Sequence, residues 1–166
     1  MTQLQLRNAW AIFIAITCML AFAASAHSSQ KIKGKVSSAY ENGSFCKVVG
    51  DLTKKQDVCP KDKDKQVASI VVVQAEESSI TPDKGQKVII KIKGMGKTTG
   101  KVVMLIDDKT SLEDVEKIGD NGSVILWKCG DNGNVMVIET KEVLKPEKDN
   151  DVKMILKKKA PKVEGC

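Results

Sequence analysis

Histidine and arginine are almost missing from this 166-residue chain, which has one of each, His27 and Arg7. No imidazole besides His27 exists for a Ser-His-Asp or Cys-His relay, or for a His-rich zinc site. Acid-base chemistry would fall to Asp, Glu, Lys or Tyr. The adjacent acids Glu76-Glu77 and Asp107-Asp108 point to opposite faces if they lie on strands, so neither pair forms a catalytic dyad. A non-enzymatic protein that needs no cofactor is expected. The shortage of arginine removes the bidentate fork that recognises phosphate and guanine. Six aromatic residues, scattered along the chain, build no stacking platform for single-stranded nucleic acid. A nucleic-acid partner is therefore unlikely despite the net charge of +6.

What is present divides the chain. Met1 to Ala26 has a sparse basic start at Arg7, an apolar run from Ala9 to Ala24 and the small-x-small ending Ala24-Ser25-Ala26. This is the pattern of a signal peptide. Removing the first 26 of 166 residues leaves a single domain of 140, His27 to Cys166, with 26 lysines, no arginine and 21 acids, a net charge of +5. The expected destination is extracellular, or periplasmic in a bacterium.

Within that domain the apolar residues recur at strand spacing. The runs are Lys31 to Ser38, Val67 to Ala75, Gln86 to Lys93, Lys101 to Ile106, Ser123 to Lys128, Asn134 to Glu139 and Val152 to Lys157. Each is short, rich in Val and Ile, and bounded by Gly, Asn, Asp or Pro. Val67 to Ala75 is nearly continuous in β-branched residues and suits a strand buried on both faces. Ser111 to Ile118 reads as the one short helix, with Ser111 as cap and Asp114 completing a capping box. An all-β sandwich or small barrel follows.

Gly119-Asp120-Asn121-Gly122 recurs as Gly130-Asp131-Asn132-Gly133, and each copy precedes an apolar run. Asn-Gly accepts the positive φ angles of a tight turn, so Ser123 to Glu139 reads as a hairpin. A calcium loop of the EF-hand type would need a third acid and a distal Glu, which this repeat lacks. Asn42-Gly43-Ser44 is expected to turn in the same way. Asn42 and Asn121 also begin glycosylation acceptor triplets.

Cys46, Cys59, Cys129 and Cys166 make an even count in a secreted chain, so disulfides are expected. Three connectivities are open. Cys46–Cys59 would close a local loop and Cys129–Cys166 would tie down the terminus; a free Cys166 could instead bond another molecule. The lysine-rich end, with Lys153, Lys157, Lys158, Lys159 and Lys162, can dock on an acidic surface, a glycan or a lipid headgroup. It can equally serve as a soluble tail, since lysine protects sheet edges.

Val71 to Leu105 carries an Ile-Thr-Pro, a Lys-Gly-Gln and a following β run that ends in Gly94. This stretch resembles the early strands of secreted ML-type lipid-recognition domains, and equally the Pro-x-x-Gly entry of IPT/TIG immunoglobulin-like modules. Both resemblances imply a β-sandwich. With the seven runs and the one short helix, the expectation is an immunoglobulin-like β-sandwich of about seven strands, and an OB-like small barrel is the structural rival. The functional expectation is a binding module for an extracellular protein or an anionic surface. The alternative is a small lipid carrier, which would hold its ligand in an apolar cavity. A remote reading places copper at His27: cleavage after Ala26 would pair its imidazole with the α-amine, a half-site that resembles those of copper-binding β-sandwiches.

Overall fold

In a computed structural model, residues 29–55, 59–60, 63–76, 82–107, 118–119, 122–130 and 134–156 are described. They form strands β1 (Gln30–Ser44), β2 (Gln66–Ala75), β3 (Lys87–Ile92), β4 (Gly96–Ile106), β5 (Ser123–Cys129), β6 (Asn134–Thr140) and β7 (Asp151–Leu156), with one helix, α1 (Phe45–Thr53). Each of the seven apolar runs becomes a strand, and the fold is all-β with a helix attached. No described helix is long and apolar enough to cross a membrane.

One expectation is corrected, and a helix stands where none was expected. Asn42-Gly43-Ser44 does not reverse the chain: β1 passes a bulge between Val36 and Ser38 and stays paired with β2 as far as Ser44↔Gln66. Asn42 takes a left-handed φ of 48° inside that pairing, a conformation Asn tolerates because its short amide can bond locally. The described helix follows at once. Ser44 caps it by accepting a hydrogen bond from the Lys47 amide at 3.1 Å. Phe45, Val48, Val49 and Leu52 lie at helical spacing and form the buried or half-buried stripe. The helix expected at Ser111 to Ile118 lies outside the described residues except for Ile118, which is buried.

The strands form one sheet that closes on itself in the order β1-β2-β5-β6-β4-β3-β7. β2 and β5 run parallel, and every other pairing is antiparallel. The predicted hairpin forms, with Ser123↔Thr140 at its base and Cys129↔Asn134 at its tip. Residues 131–133 lie outside the described set.

Closure divides the apolar residues into two cores. The inner core draws on all seven strands: Ile32 and Val36, Val71 and Val73, Val88, Ile90 and Ile92, Val102, Ile125 and Trp127, Met136 and Ile138, then Val152, Met154 and Leu156. Trp127 is 1% exposed and fills the space over Gly34, where a Cβ would come within 3.2 Å of the indole. Burying each such side chain contributes about 1.5–3 kcal/mol. The outer core comprises Phe45, Val48 and Val49 of α1 with Val67, Ile70, Val72, Met104, Ile106, Ile118, Val124, Leu126, Val135 and Val137. Consecutive residues Ile70 to Val73 alternate between the two cores, as do Val124 to Trp127 and Val135 to Ile138. This is why β2, β5 and β6 read as continuous apolar runs. On β4 the register shift between Val102 and Met104 transfers the strand from the inner to the outer core.

One end of the sheet is closed by Leu144. Its carbonyl accepts from the Ser69 hydroxyl at 2.5 Å, and its amide donates to Ser123 Oγ at 2.6 Å. Thr140 Oγ1 accepts from the Ser123 amide at 3.3 Å and donates to the Glu142 carbonyl at 2.9 Å. These three hydroxyl residues are buried, and no buried side-chain polar atom among the described residues lacks a partner.

Candidate anionic-ligand face

Strand parity places the lysines. On β1, Ile32, Gly34 and Val36 are buried while Lys31, Lys33 and Lys35 are exposed. On β3, Val88, Ile90 and Ile92 alternate with exposed Lys87 and Lys91 and half-buried Ile89. β4 buries Thr98, Gly100 and Val102 and exposes Lys97, Thr99 and Lys101. β7 buries Val152, Met154 and Leu156 and exposes Asp151 and Lys153. These four strands are neighbours in the order β1-β7-β3-β4, so their outward residues make one continuous face.

The register aligns them further. Lys33 pairs with Lys153, Lys153 with Lys91, and Lys91 with Lys97. Four lysines thus stand directly opposite one another on four adjacent strands, about 4.8 Å apart along the sheet. The next row is uncharged except at one end: Lys31, Ile155, Ile89 and Thr99. Beyond it, Lys87 pairs with Lys101 and Lys101 with Glu139 of β6. Like charges placed directly opposite are destabilising in a sheet. None of Lys33, Lys91, Lys97 and Lys153 has an ion pair among the described residues.

Edge protection does not account for this row. Lysine defends a strand whose hydrogen-bonding groups are open. Here each of the four strands has a partner on both sides.

Two open depressions adjoin the row. One, of about 560 Å³, is lined by Lys91, Lys93, Lys97, Asp151 and Lys153, with Ile92, Gly94 and Gly96 between them. The other, of about 620 Å³, includes Lys87, Lys97, Lys101, Lys141 and the acids Glu139 and Glu142. Lys97 lines both. Glu139 is engaged by the Gly119 amide, which donates to Oε1 at 2.6 Å.

Of the residues singled out in the sequence, Lys153 sits within this row, while Lys157, Lys158, Lys159 and Lys162 lie outside the described residues. Lys33, Lys91 and Lys97 were not singled out, because the signal that joins them is register and not spacing along the chain. His27, Asn121 and Cys166 lie outside the described residues as well. Asn42 is exposed on β1. Cys46 and Cys59 form a disulfide, with their Cα atoms 5.8 Å apart, that pins α1 to the following loop. Such a bond belongs to an oxidising, non-cytosolic environment. Cys129 is a half-buried free thiol whose pKa is raised by loss of solvent. No three His, Cys, Asp or Glu side chains among the described residues group together as a metal site.

Compared with protein-family models, curated proteins and solved structures, the chain matches none.

Proposed function

We propose that this protein is a secreted, non-enzymatic binding module that engages an anionic partner through the lysine face of β1, β7, β3 and β4. The observation that carries the reading is the row Lys33–Lys153–Lys91–Lys97, set on strands that have no open edge to protect. A like-charged row costs the sheet some stability in isolation, and an opposing anionic surface turns that cost into affinity. Lysine without arginine suits charge recognition by point contacts better than the bidentate reading of a single group.

The framework supporting the face is best read as a small filled barrel rather than an immunoglobulin-like sandwich, since every strand has two hydrogen-bonded neighbours. The same packing weighs against the lipid-carrier alternative. Trp127, Met136, Met154 and their neighbours occupy the space that an apolar ligand between sheets would need.

The test compares two double variants of equal charge change on an immobilised polyanion. K33Q/K91Q removes two lysines of the face, and K47Q/K54Q removes two exposed lysines on and just after α1. The face variant should elute at distinctly lower salt than the helix variant. Equal elution would reduce the interaction to net charge and overturn the assignment of this face.

A further inference from the structure

From the geometry of the lysine row we infer the class of partner: a linear polyanionic polysaccharide, bearing sulfate or carboxylate groups, that lies across the strands along Lys33, Lys153, Lys91 and Lys97. This rests on the assignment of the face above and adds the shape of what binds there.

Curvature decides against a flat partner. Seven strands share the full turn of the closed sheet and tilt by roughly 40° to its axis, so along the row adjacent outward directions differ by roughly 30°. Lys33 and Lys97, three strands apart, therefore project in directions roughly 90° apart. A planar membrane surface meets only part of the row at once. A chain that bends around the barrel can meet all four. The row is also continuous: three strand spacings amount to about 14 Å along the sheet.

The surroundings of the row favour sugar over nucleic acid. Stacked bases need aromatic platforms. Of the described aromatics, Phe45 and Trp127 are buried, and the exposed Tyr40 lies on the part of β1 paired with β2, opposite Ile70 of the outer core. Between Lys91, Lys97 and Lys153 the 560 Å³ depression presents Gly94 and Gly96, with Lys93 and Asp151 beside them. The two glycines carry no side chains, which leaves room for a sugar ring while the lysines take the anionic substituents. Because an ammonium is a point charge, the row does not distinguish sulfate from carboxylate by geometry.

The experiment measures binding of the purified protein to four probes: size-graded heparin oligosaccharides, a carboxylate-only polyuronate, vesicles of anionic phospholipid, and single-stranded DNA. Two quadruple variants are compared with the parent. K33Q/K91Q/K97Q/K153Q removes the row, and K31Q/K35Q/K87Q/K101Q removes four lysines from the same strands outside it. The row variant should lose polysaccharide affinity by on the order of 100-fold. It should also lower the slope of log K against log salt by about 3, with the off-row variant changed far less. Affinity of the parent for oligosaccharides should rise with length until the chain spans the row and then level off. This length series needs no substitution, so it stands even if a variant folds poorly. Equal losses in the two variants would leave the face as an anion-binding surface and refute the track along the row. Tighter binding to vesicles or DNA than to either polysaccharide would also refute the polysaccharide while sparing the face. Absence of binding to all four probes would overturn both.

Discussion

The two outer sides of the closed sheet are built from the same alternation and put to opposite uses. Along β2, β5 and β6 the outward residues are Ile70, Val72, Val124, Leu126, Val135 and Val137, which share a buried cluster with Phe45, Val48 and Val49 of the disulfide-pinned α1. Along β1, β7, β3 and the first part of β4 the outward residues are mostly lysine, with no second layer among the described residues. The switch occurs within β4, where the register shift after Val102 turns a strand with outward lysines into one that packs against the outer core. A fold that can cover one side with a helix has the means to cover the other. Charging that side instead, with lysines aligned across strands, is what the binding proposal addresses.

The comparison can be broken at its shared centre. Trp127 belongs to the inner core that both sides enclose, so Trp127→Ala should destabilise the whole domain by about 3–5 kcal/mol in denaturant unfolding. It should lower protection on both sides together. Loss confined to one side would mean the sheet does not behave as one closed unit.

Opening the disulfide should separate the two sides. Its loop spans 13 residues, and C46S/C59S should cost about 3 kcal/mol. Hydrogen exchange should rise first in Phe45–Thr53, while β1, β7 and β3 keep their protection. A uniform rise would show that the covering layer and the barrel unfold as one.

A smaller effect is expected at Gly34, on β1 beneath the lysines. A Cβ there would meet the Gln74 carbonyl at 2.7 Å and Val73 Cγ1 at 2.8 Å. Gly34→Ala should therefore cost about 1–3 kcal/mol through overpacking, read as a shift in unfolding midpoint. An unchanged midpoint would show that the barrel interior is looser than its packing implies.

The smallest change in stability should come from the lysine row itself. Each Lys→Gln at positions 33, 91, 97 or 153 should stay within about 0.5 kcal/mol of the parent, and combinations should lean toward gain as repulsion is relieved. Stability falling with each substitution would assign the lysines a structural role and remove the motive for a ligand.

All seven strands were legible in outline because alternation on β1, β3, β4 and β7 and continuous β-branched runs on β2, β5 and β6 are local signals. Residues 39–44 of β1 and 96–100 of β4 lay outside the expected runs, and the two-sided burial expected for Val67 to Ala75 holds from Ser69 to Val73. Helix α1 was missed. Its stripe at Phe45, Val48, Val49 and Leu52, just after the capping Ser44, was present in the sequence, but Asn42-Gly43-Ser44 was read as a turn and the segment after it was given no element. The lysine row was hidden for a different reason. Each strand displays its own lysines, but only pairing register brings residues 33, 91, 97 and 153 into line, and register is a property of the closed sheet. Attention to charge along the chain led instead to the C-terminal lysines, of which Lys153 alone falls in the described row.

The most direct test is a map of amide chemical shifts during titration with a sulfated oligosaccharide. The account predicts progressive shifts centred on Lys33, Lys153, Lys91 and Lys97 and the glycines of the β3–β4 turn, with α1, β5 and β6 unchanged. Shifts centred on α1 and the loop closed by Cys46–Cys59, or confined to the lysines after Leu156, would contradict it.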